Sequence, residues 1–142
     1  MRFMLIRRAD RETEAGVMPS GELLEAMMKY NEEMVKAGVM LDGQGLHPSS
    51  KGARVKFSGG KPTVIDGPFT ETKELIAGFS MIQVKSKEEA IEWVKRWPSI
   101  DAHGGVEIEI RQVFEMEDFG PEFTSDMREQ EAQMRAKLDE KK

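Results

Sequence analysis

Cysteine is absent from the 142 residues of the chain. Disulfide bonds, thiol catalysis and cysteine-based zinc sites are therefore excluded. Long apolar runs are also absent, since no stretch approaches the roughly 20 residues that a helix needs to cross a bilayer. The apolar stretch Phe3–Ile6 near the start is closed by two arginines, and it is shorter than a signal-peptide core of about 7–15 residues. We therefore expect a cytoplasmic protein that has no membrane partner.

Basic residues are fewer than acidic residues in the chain. The 21 lysines and arginines are outnumbered by 26 aspartates and glutamates, which gives a net charge of −5. Nucleic acid is therefore not expected as a partner, because phosphate binding requires a basic surface. Apolar residues make up 39 % of the chain and charged residues 33 %, a composition that is typical of a folded globular domain. A chain of this length is expected to form one domain with its own core.

Hydrophobic spacing and capping residues predict two long amphipathic helices. The first covers residues 20–37, begins at the N-cap Ser20 and ends before Gly38, which suits the left-handed position after a helix. The second follows a capping box that begins at Ser86, and it stops at Pro98. Alternating apolar residues predict strands at 2–8, 39–48, 53–58, 61–65, 76–85 and 105–114, with a polar loop at 9–18 and a bulge at 42–45.

The predicted order is β-α-β, then an inserted β-hairpin, then β-α-β. Two such units within residues 1–114 predict an α+β domain of the ferredoxin-like type, with both helices on one face of an antiparallel sheet. The opposite face needs a cover, and a second copy of the sheet is the simplest one. We therefore expect a homodimer with a barrel-like centre. Residues 115–142 are predicted to form a linker and a charged helix, which packs on the partner subunit or extends into solvent.

One segment carries a family resemblance. Residues 64–74 read VIDGPFTETKE and are followed by Ala77-Gly78-Phe79, which resembles the signature of the DGPF branch of the YCII-related proteins. Gly43 to Pro48 resemble the glycine-leucine-proline segment of that branch, and residues 89–93 and 108–111 resemble its second helix and last strand. The resemblance covers about residues 1–114. It implies the same ferredoxin-like dimer that the order of elements predicts.

The resemblance implies less about chemistry. The shorter YCII branch is similar in fold to a dehydrochlorinase of chlorinated hydroquinone breakdown, which is thought to use a His–Asp pair with its histidine on the first helix. No histidine occurs between Leu24 and Tyr30 of this chain. The aspartate of the pair falls near residues 97–99, where Asp101 is the nearest match. Some DGPF proteins are encoded with or fused to sigma-factor-like regulators, so the resemblance also implies an accessory role as an alternative.

The candidate catalytic residues are Asp66 and His47. A carboxylate at a strand end can act as a general base or orient a ligand, and histidine titrates near neutral pH. We predict that the two form an acid–base dyad if their strands are neighbours. The alternative for Asp66 is a turn in which its carboxylate accepts backbone N–H groups. Gly67, Pro68, Phe69 and Glu74 surround Asp66 in the sequence and are the candidate ligand contacts, while His103 lies in a loop and is expected to face solvent.

No cofactor and no metal are predicted. The sequence contains neither HxH nor HExxH spacing, no GxSxG elbow and no phosphate-binding glycine loop. Three functions stay open at this point. The chain is a small acid–base enzyme acting on a small organic substrate in a dimer pocket, a non-catalytic binder of a small ligand, or an accessory protein that acts through its surface.

Overall fold

A computed structural model describes residues 1–141 of the chain. Six strands, four helices and several short 3₁₀ turns make up these residues. Their order is β1 (Arg2–Arg8), α1 (Arg11–Glu14), α2 (Gly21–Lys36), β2 (Met40–Gly45), β3 (Ala53–Ser58), β4 (Lys61–Asp66), β5 (Ile76–Gln83), α3 (Lys87–Val94), β6 (Ile108–Gln112) and α4 (Ser125–Glu140). The chain divides into two compact units, Met1–Gln112 and Val113–Lys142.

A four-stranded antiparallel sheet is the centre of the first unit. Its strand order is β2-β5-β1-β6, and the mixture of this sheet with helices confirms the predicted α+β class. The register places Leu5 opposite Ser80 and Arg7 opposite Gly78. A shift in the pairing of β2 with β5 lies between Met40 and Asp42, at the edge of the predicted bulge.

The core lies on one face of this sheet. Phe3 and Leu5 of β1 and Ile82 of β5 are fully buried, and they form one apolar cluster with Tyr30 and Met34 of α2. Side chains of a strand alternate between the two faces, so residues 3, 5, 7, 78, 80 and 82 face α2 and α3. The Tyr30 hydroxyl donates a hydrogen bond to the Trp93 carbonyl over 2.7 Å, which joins the two helices.

Local sequence signals account for the helix boundaries. The Ser20 hydroxyl accepts a hydrogen bond from the Leu23 N–H, and Gly38 follows α2 with a φ of 74°. The Ser86 hydroxyl accepts from the Glu89 N–H at the start of α3. These ends confirm the predicted helices, because each cap satisfies backbone groups that a helix terminus leaves unpaired.

Several regions differ from the prediction. The strand β2 ends at Gly45 and the helix α3 ends at Val94, so both are shorter than predicted. The loop predicted at 9–18 contains the short helix α1, which begins with a capping box between Asp10 and Thr13. The last strand of the sheet is also shorter than predicted, because Ile108–Gln112 alone is paired with β1. The predicted hairpin is confirmed as the separate two-stranded sheet of β3 and β4, and all of its residues are exposed in this chain.

The second unit consists of a linker and one helix. The ring of Phe119 lies between those of Phe114 and Phe123, and its centroid is 5.2 Å from the centroid of each. The helix α4 follows the N-cap Thr124, and Met134 and Leu138 on it are exposed. Across residues 1–141, no helix has both the length and the apolar character needed to cross a membrane.

Candidate functional site

A cleft of about 1400 Å³ lies on the helix-bearing side of the sheet in the first unit. Its floor is formed by β1, β2 and β5, and its walls by α1, α2 and the turn before β6. The apolar part of the lining includes Leu23 and Met27 of α2 and Trp97 after α3. The polar part includes Arg7 and Asp101. The cleft therefore joins an apolar wall to a charged end, which is the usual composition of a small-molecule site.

The floor of the cleft has few side chains. Gly43 and Gly45 of β2 lie opposite Ser80 and Gly78 of β5, and all four line the cleft. A Cβ at Gly45 would meet no atom within 4 Å, whereas one at Gly78 would lie 2.9 Å from the Gln44 carbonyl oxygen. Bare sheet backbone is therefore found at Gly45 and Gly78, and Gly78 also permits the close approach of β2. At Gly43 the end of the Met40 side chain lies 2.7 Å from the position of a Cβ.

Arg7 and Asp101 form the charged end. The Arg7 guanidinium donates from Nη2 to Oδ1 of Asp101 over 2.7 Å and from Nε to Oδ2 over 3.3 Å. The Trp97 indole donates to the same carboxylate over 2.9 Å. A third donor, Nη1 of Arg7, reaches the Asp10 carboxylate over 3.2 Å. Two-point pairing of this kind fixes both planar groups. This ion pair, the Arg7–Asp101 anchor, joins β1 to the turn that precedes β6.

Burial and charge act in opposite directions on this pair. Burial alone would raise the pKa of Asp101, but hydrogen bonds from Arg7 and Trp97 and the Arg7 charge outweigh it, so the pKa is lowered from its usual range. Burial would likewise lower the pKa of Arg7, and the hydrogen bond and charge of Asp101 raise it. Both groups are therefore charged near neutral pH, and Asp101 is held as an anion rather than as a proton donor.

The turn after Asp101 has an unusual backbone. Ala102 and His103 both have positive φ, at 52° and 54°, a region that residues with a Cβ rarely occupy. Asp101, only 4 % exposed, holds the turn at its start through Arg7 and Trp97. Such strained backbone is found most often at functional sites, and here it belongs to the lining of the cleft.

Both histidines of the chain line the cleft. His103 is exposed to solvent, as predicted, with 82 % of its side chain accessible, and its Nε2 lies 3.0 Å from a carboxylate oxygen of Glu12 in α1. His47 is exposed and follows β2. Among residues 1–141, no cluster of three or more acidic or histidine side chains that could hold a metal ion is found.

The structure does not bring His47 and Asp66 together. Asp66 ends β4, is exposed and does not line the cleft, whereas His47 does. No hydrogen bond joins the two side chains in the part of the chain that the structure describes. Because β4 pairs only with β3, the strands that carry the two residues are not neighbours. The predicted dyad is therefore not formed. The Gly67 N–H donates to the Gly52 carbonyl over 3.0 Å, and within residues 1–141 no backbone N–H donates to the Asp66 carboxylate, so the turn predicted as the alternative is not formed either.

The DGPF segment, residues 64–74, has a structural role. A Cβ on Gly67 would lie 1.8 Å from the Ser49 carbonyl oxygen, so only glycine fits against this turn. The Phe69 N–H donates to the Ser49 hydroxyl, and the Ser49 N–H donates to the Glu14 carboxylate, each over 3.0 Å. Pro68 follows a cis peptide bond. The segment thus fastens the hairpin to α1, at the rim of the cleft.

The other predicted ligand contacts lie outside the cleft as well. The Phe69 ring is covered by the Arg54 guanidinium, 3.9 Å from its centroid. Glu74 is exposed in a 3₁₀ turn. With Gly67 and Pro68, these residues do not line the cleft, so a role in ligand binding stays a prediction for all four.

Sequence reasoning missed the Arg7–Asp101 anchor. The alternation of β1 places Arg7 on the face of Phe3 and Leu5, and a buried charge needs a partner. That requirement was readable from the sequence. The identity of the partner was not, because Asp101 lies 94 positions further along the chain.

The family model of the YCII-related domain matches residues 1–117. The chain therefore belongs to the YCII-related family. This result confirms the resemblance carried by the DGPF segment.

A curated relative and a solved structure are among the proteins that are similar to the chain. The relative is the uncharacterized protein R00369 of Rhizobium meliloti (strain 1021), which is 38 % identical over 73 residues. The match spans 51 % of this chain and 59 % of that protein, so the chain spans little more than half of its relative. The solved structure is the 5-chloro-2-hydroxyhydroquinone dehydrochlorinase TftG from Burkholderia phenoliruptrix AC1100, in complex with 2,5-dihydroxybenzoquinone. It is 15 % identical with a TM-score of 0.45 and covers 84 % of this chain and 100 % of its own, too distant for its reaction to be transferred.

Proposed function

We propose that this YCII-related protein acts on a small, uncharged organic molecule that it binds in the cleft. The observation that carries the proposal is the cleft itself, with an apolar wall, a fixed charged end and a floor of bare backbone in one place. The presence of a cleft favours the two small-molecule functions over the accessory function. Its location favours the face of the sheet that bears the helices as the working side of the protein.

The charged side chains that line the cleft favour an uncharged ligand. The guanidinium of Arg7 is already paired with Asp10 and Asp101, so it offers no excess positive charge to an anion. Glu12, Glu14 and Glu22 also line the cleft and outnumber the lysine there, Lys51, so the lining repels anions. The apolar wall then provides most of the binding free energy, and the polar groups orient the ligand.

The two histidines support an acid–base reaction over binding alone. His47 and His103 both line the cleft, and an imidazole can either accept or donate a proton. A ligand in the cleft would lie between the chain segments that carry them, after β2 and before β6. Proton transfer to or from the bound molecule would use one of these imidazoles, with Glu12 fixing the orientation of His103.

The replacement Gly45→Leu tests whether the cleft is the binding site. We expect the variant to fold, because a Cβ at Gly45 would meet no atom within 4 Å, and the leucine side chain would occupy the floor. Small organic fragments that bind the native protein, detected by saturation-transfer NMR, should lose binding at least tenfold in this variant because of the filled volume.

Gly21→Leu is the matched control. Gly21 also has open space around its Cβ position, but it does not line the cleft. This variant should bind the same fragments as the native protein. Equal binding by Gly45→Leu and Gly21→Leu would show that the fragments bind elsewhere, and the proposal would then be wrong.

We also infer that the chain forms a ferredoxin-like homodimer through the open face of its sheet. The strand order β2-β5-β1-β6 supports the ferredoxin-like assignment. Met4 and Ile6 lie opposite Met81 and Phe79 across β1 and β5, on the face that carries no core residue. These four side chains are partly exposed. A contiguous apolar patch of this kind favours a second copy as its cover.

Met81→Glu tests the dimer. A carboxylate at the centre of an apolar interface loses its hydration without gaining a partner, so the variant should be monomeric by sedimentation velocity where the native protein is dimeric. Lys85→Glu changes the charge of an exposed residue beyond β5 and should leave the dimer intact. A native protein that sediments as a monomer at all concentrations would contradict the inference.

A further inference from the structure

Ser80 has a hydroxyl group that the fold does not use. The residue is 6 % exposed, and among residues 1–141 its Oγ is the buried side-chain polar atom without a hydrogen-bond partner. It lines the cleft and lies on the face of the sheet that bears the helices. Leaving a buried hydroxyl unpaired destabilises a folded protein. Alanine would fit the same space without this cost. The unpaired hydroxyl therefore indicates a hydrogen-bond partner that enters the cleft.

The surroundings of Ser80 limit the shape of that partner. Ser80 pairs with Gly43, and two positions along the same face Gly78 pairs with Gly45. Paired residues are about 5 Å apart, and successive residues on one face of a strand are about 7 Å apart. Ser80 thus lies at one corner of a patch of sheet backbone. The end of the flexible Met40 side chain lies over the Gly43 corner, 2.7 Å from the position of a Cβ there. With that side chain moved aside, the patch has about the dimensions of one six-membered ring.

The groups around the patch limit the chemistry of the partner. Leu23, Met27 and Trp97 supply apolar contacts from the walls, and the Arg7 charge is already paired with two carboxylates. A planar aromatic ring on the glycine backbone would bury apolar area on both of its faces. A hydroxyl group at the edge of the ring would pair with Ser80 Oγ, which can both donate and accept.

We propose that Ser80, Gly43, Gly45 and Gly78 form a subsite for an uncharged aromatic ring that carries a hydroxyl-bearing substituent. Ser80 sets specificity by hydrogen bonding that hydroxyl, and the glycines set it by admitting a flat ring. This subsite rests on the proposed function, because it lies in the same cleft. It adds the class of ligand and the residue that recognises it.

Three probes separate the two parts of the proposal. Benzyl alcohol has a flat ring and a hydroxyl, ethylbenzene replaces the hydroxyl with a methyl group, and cyclohexylmethanol replaces the flat ring with a puckered one. The native protein should bind benzyl alcohol about 3- to 10-fold more tightly than ethylbenzene in calorimetric titrations, the ratio that one net hydrogen bond provides. It should also bind benzyl alcohol more tightly than cyclohexylmethanol.

Ser80→Ala tests the role of the hydroxyl. The variant should bind benzyl alcohol and ethylbenzene equally, and its Tm should rise by about 2–6 °C because an unpaired buried group is removed. Ser58→Ala is the control, since Ser58 is exposed in the hairpin and does not line the cleft, and it should keep the native preference. A purely structural role for Ser80 predicts the opposite, a lower Tm with an unchanged preference between the two probes.

The outcomes distinguish this subsite from the proposed function. If the cleft binds fragments that Gly45→Leu excludes, but benzyl alcohol shows no preference over ethylbenzene or Ser80→Ala keeps that preference, the subsite is wrong and the cleft remains a binding site. If no fragment is excluded by Gly45→Leu, the proposed function fails and the subsite fails with it. Equal binding of benzyl alcohol and cyclohexylmethanol would overturn the part assigned to the glycines.

Discussion

Asp101→Ala should lower the free energy of unfolding by about 3–5 kcal/mol, the usual cost of removing one partner from a buried ion pair. The Arg7 side chain is 13 % exposed, and without Asp101 it keeps only the more exposed Asp10 as a counter-charge. The Trp97 indole N–H loses its acceptor at the same time. Urea denaturation followed by circular dichroism measures the loss directly.

A double replacement separates pairing from packing. Arg7→Met with Asp101→Asn removes both charges and keeps an amide oxygen for Trp97, so it should recover at least half of the stability that Asp101→Ala loses. An equal loss in the single and double variants would mean that the anchor does not act as an ion pair. A loss below about 1 kcal/mol in Asp101→Ala would place the pair in the class of weak surface bridges.

The same anchor fixes the direction of the pH dependence. The pKa of Asp101 is lower in the folded protein than its usual value of 3.8. A carboxyl group of this kind stabilises the fold fully above its unfolded pKa and loses that contribution as pH falls through the folded pKa. The stability difference between the native protein and Asp101→Ala should therefore be constant near neutral pH and shrink below about pH 4. A difference that grows on acidification would contradict the assigned charge state.

Gly67→Ala should be the second most damaging single change, with a loss of about 2–4 kcal/mol from overpacking. Its added methyl group would lie 1.8 Å from the Ser49 carbonyl oxygen, which is backbone and cannot rotate away. Relief requires the DGPF segment to leave the turn, which breaks the hydrogen bond from the Phe69 N–H to the Ser49 hydroxyl. Thermal and urea unfolding should both show the loss.

Gly21→Ala is the control for this prediction. Its Cβ would meet no atom within 4 Å and it lies in the first turn of α2, where alanine is favoured over glycine by up to about 1 kcal/mol. The control should be neutral or more stable than the native protein. If Gly67→Ala is equally harmless, the segment does not press against the turn at 49–52, and its sequence must be explained by another role.

Short-range signals in the sequence predicted most of the secondary structure. The caps Ser20 and Ser86 lie at the helix starts that they predicted. The hairpin was predicted from two glycines between alternating segments. The helix α1 was missed because its capping box at Asp10 and Thr13 introduces only four residues, too few for an apolar period to be visible.

The site was predicted less well, because it depends on contacts between distant parts of the chain. His47 was chosen for its chemistry and does line the cleft, but Asp66 was paired with it on the assumption that their strands were neighbours. The hairpin instead forms a sheet of its own. Ser80 and the three glycines of the floor acquire their meaning only from the register of β2 with β5, which no local pattern specifies.

The indole signals of the two tryptophans provide the most direct test of the central claim, that the cleft binds small molecules. Trp97 lines the cleft, and its indole N–H donates to Asp101 at the charged end. Trp93 packs against the core and does not line the cleft. In a ¹⁵N–¹H spectrum recorded during a titration with benzyl alcohol, the Trp97 indole peak should shift and the Trp93 peak should stay in place. Equal shifts of both peaks, or no shift of Trp97 with any fragment, would contradict the account.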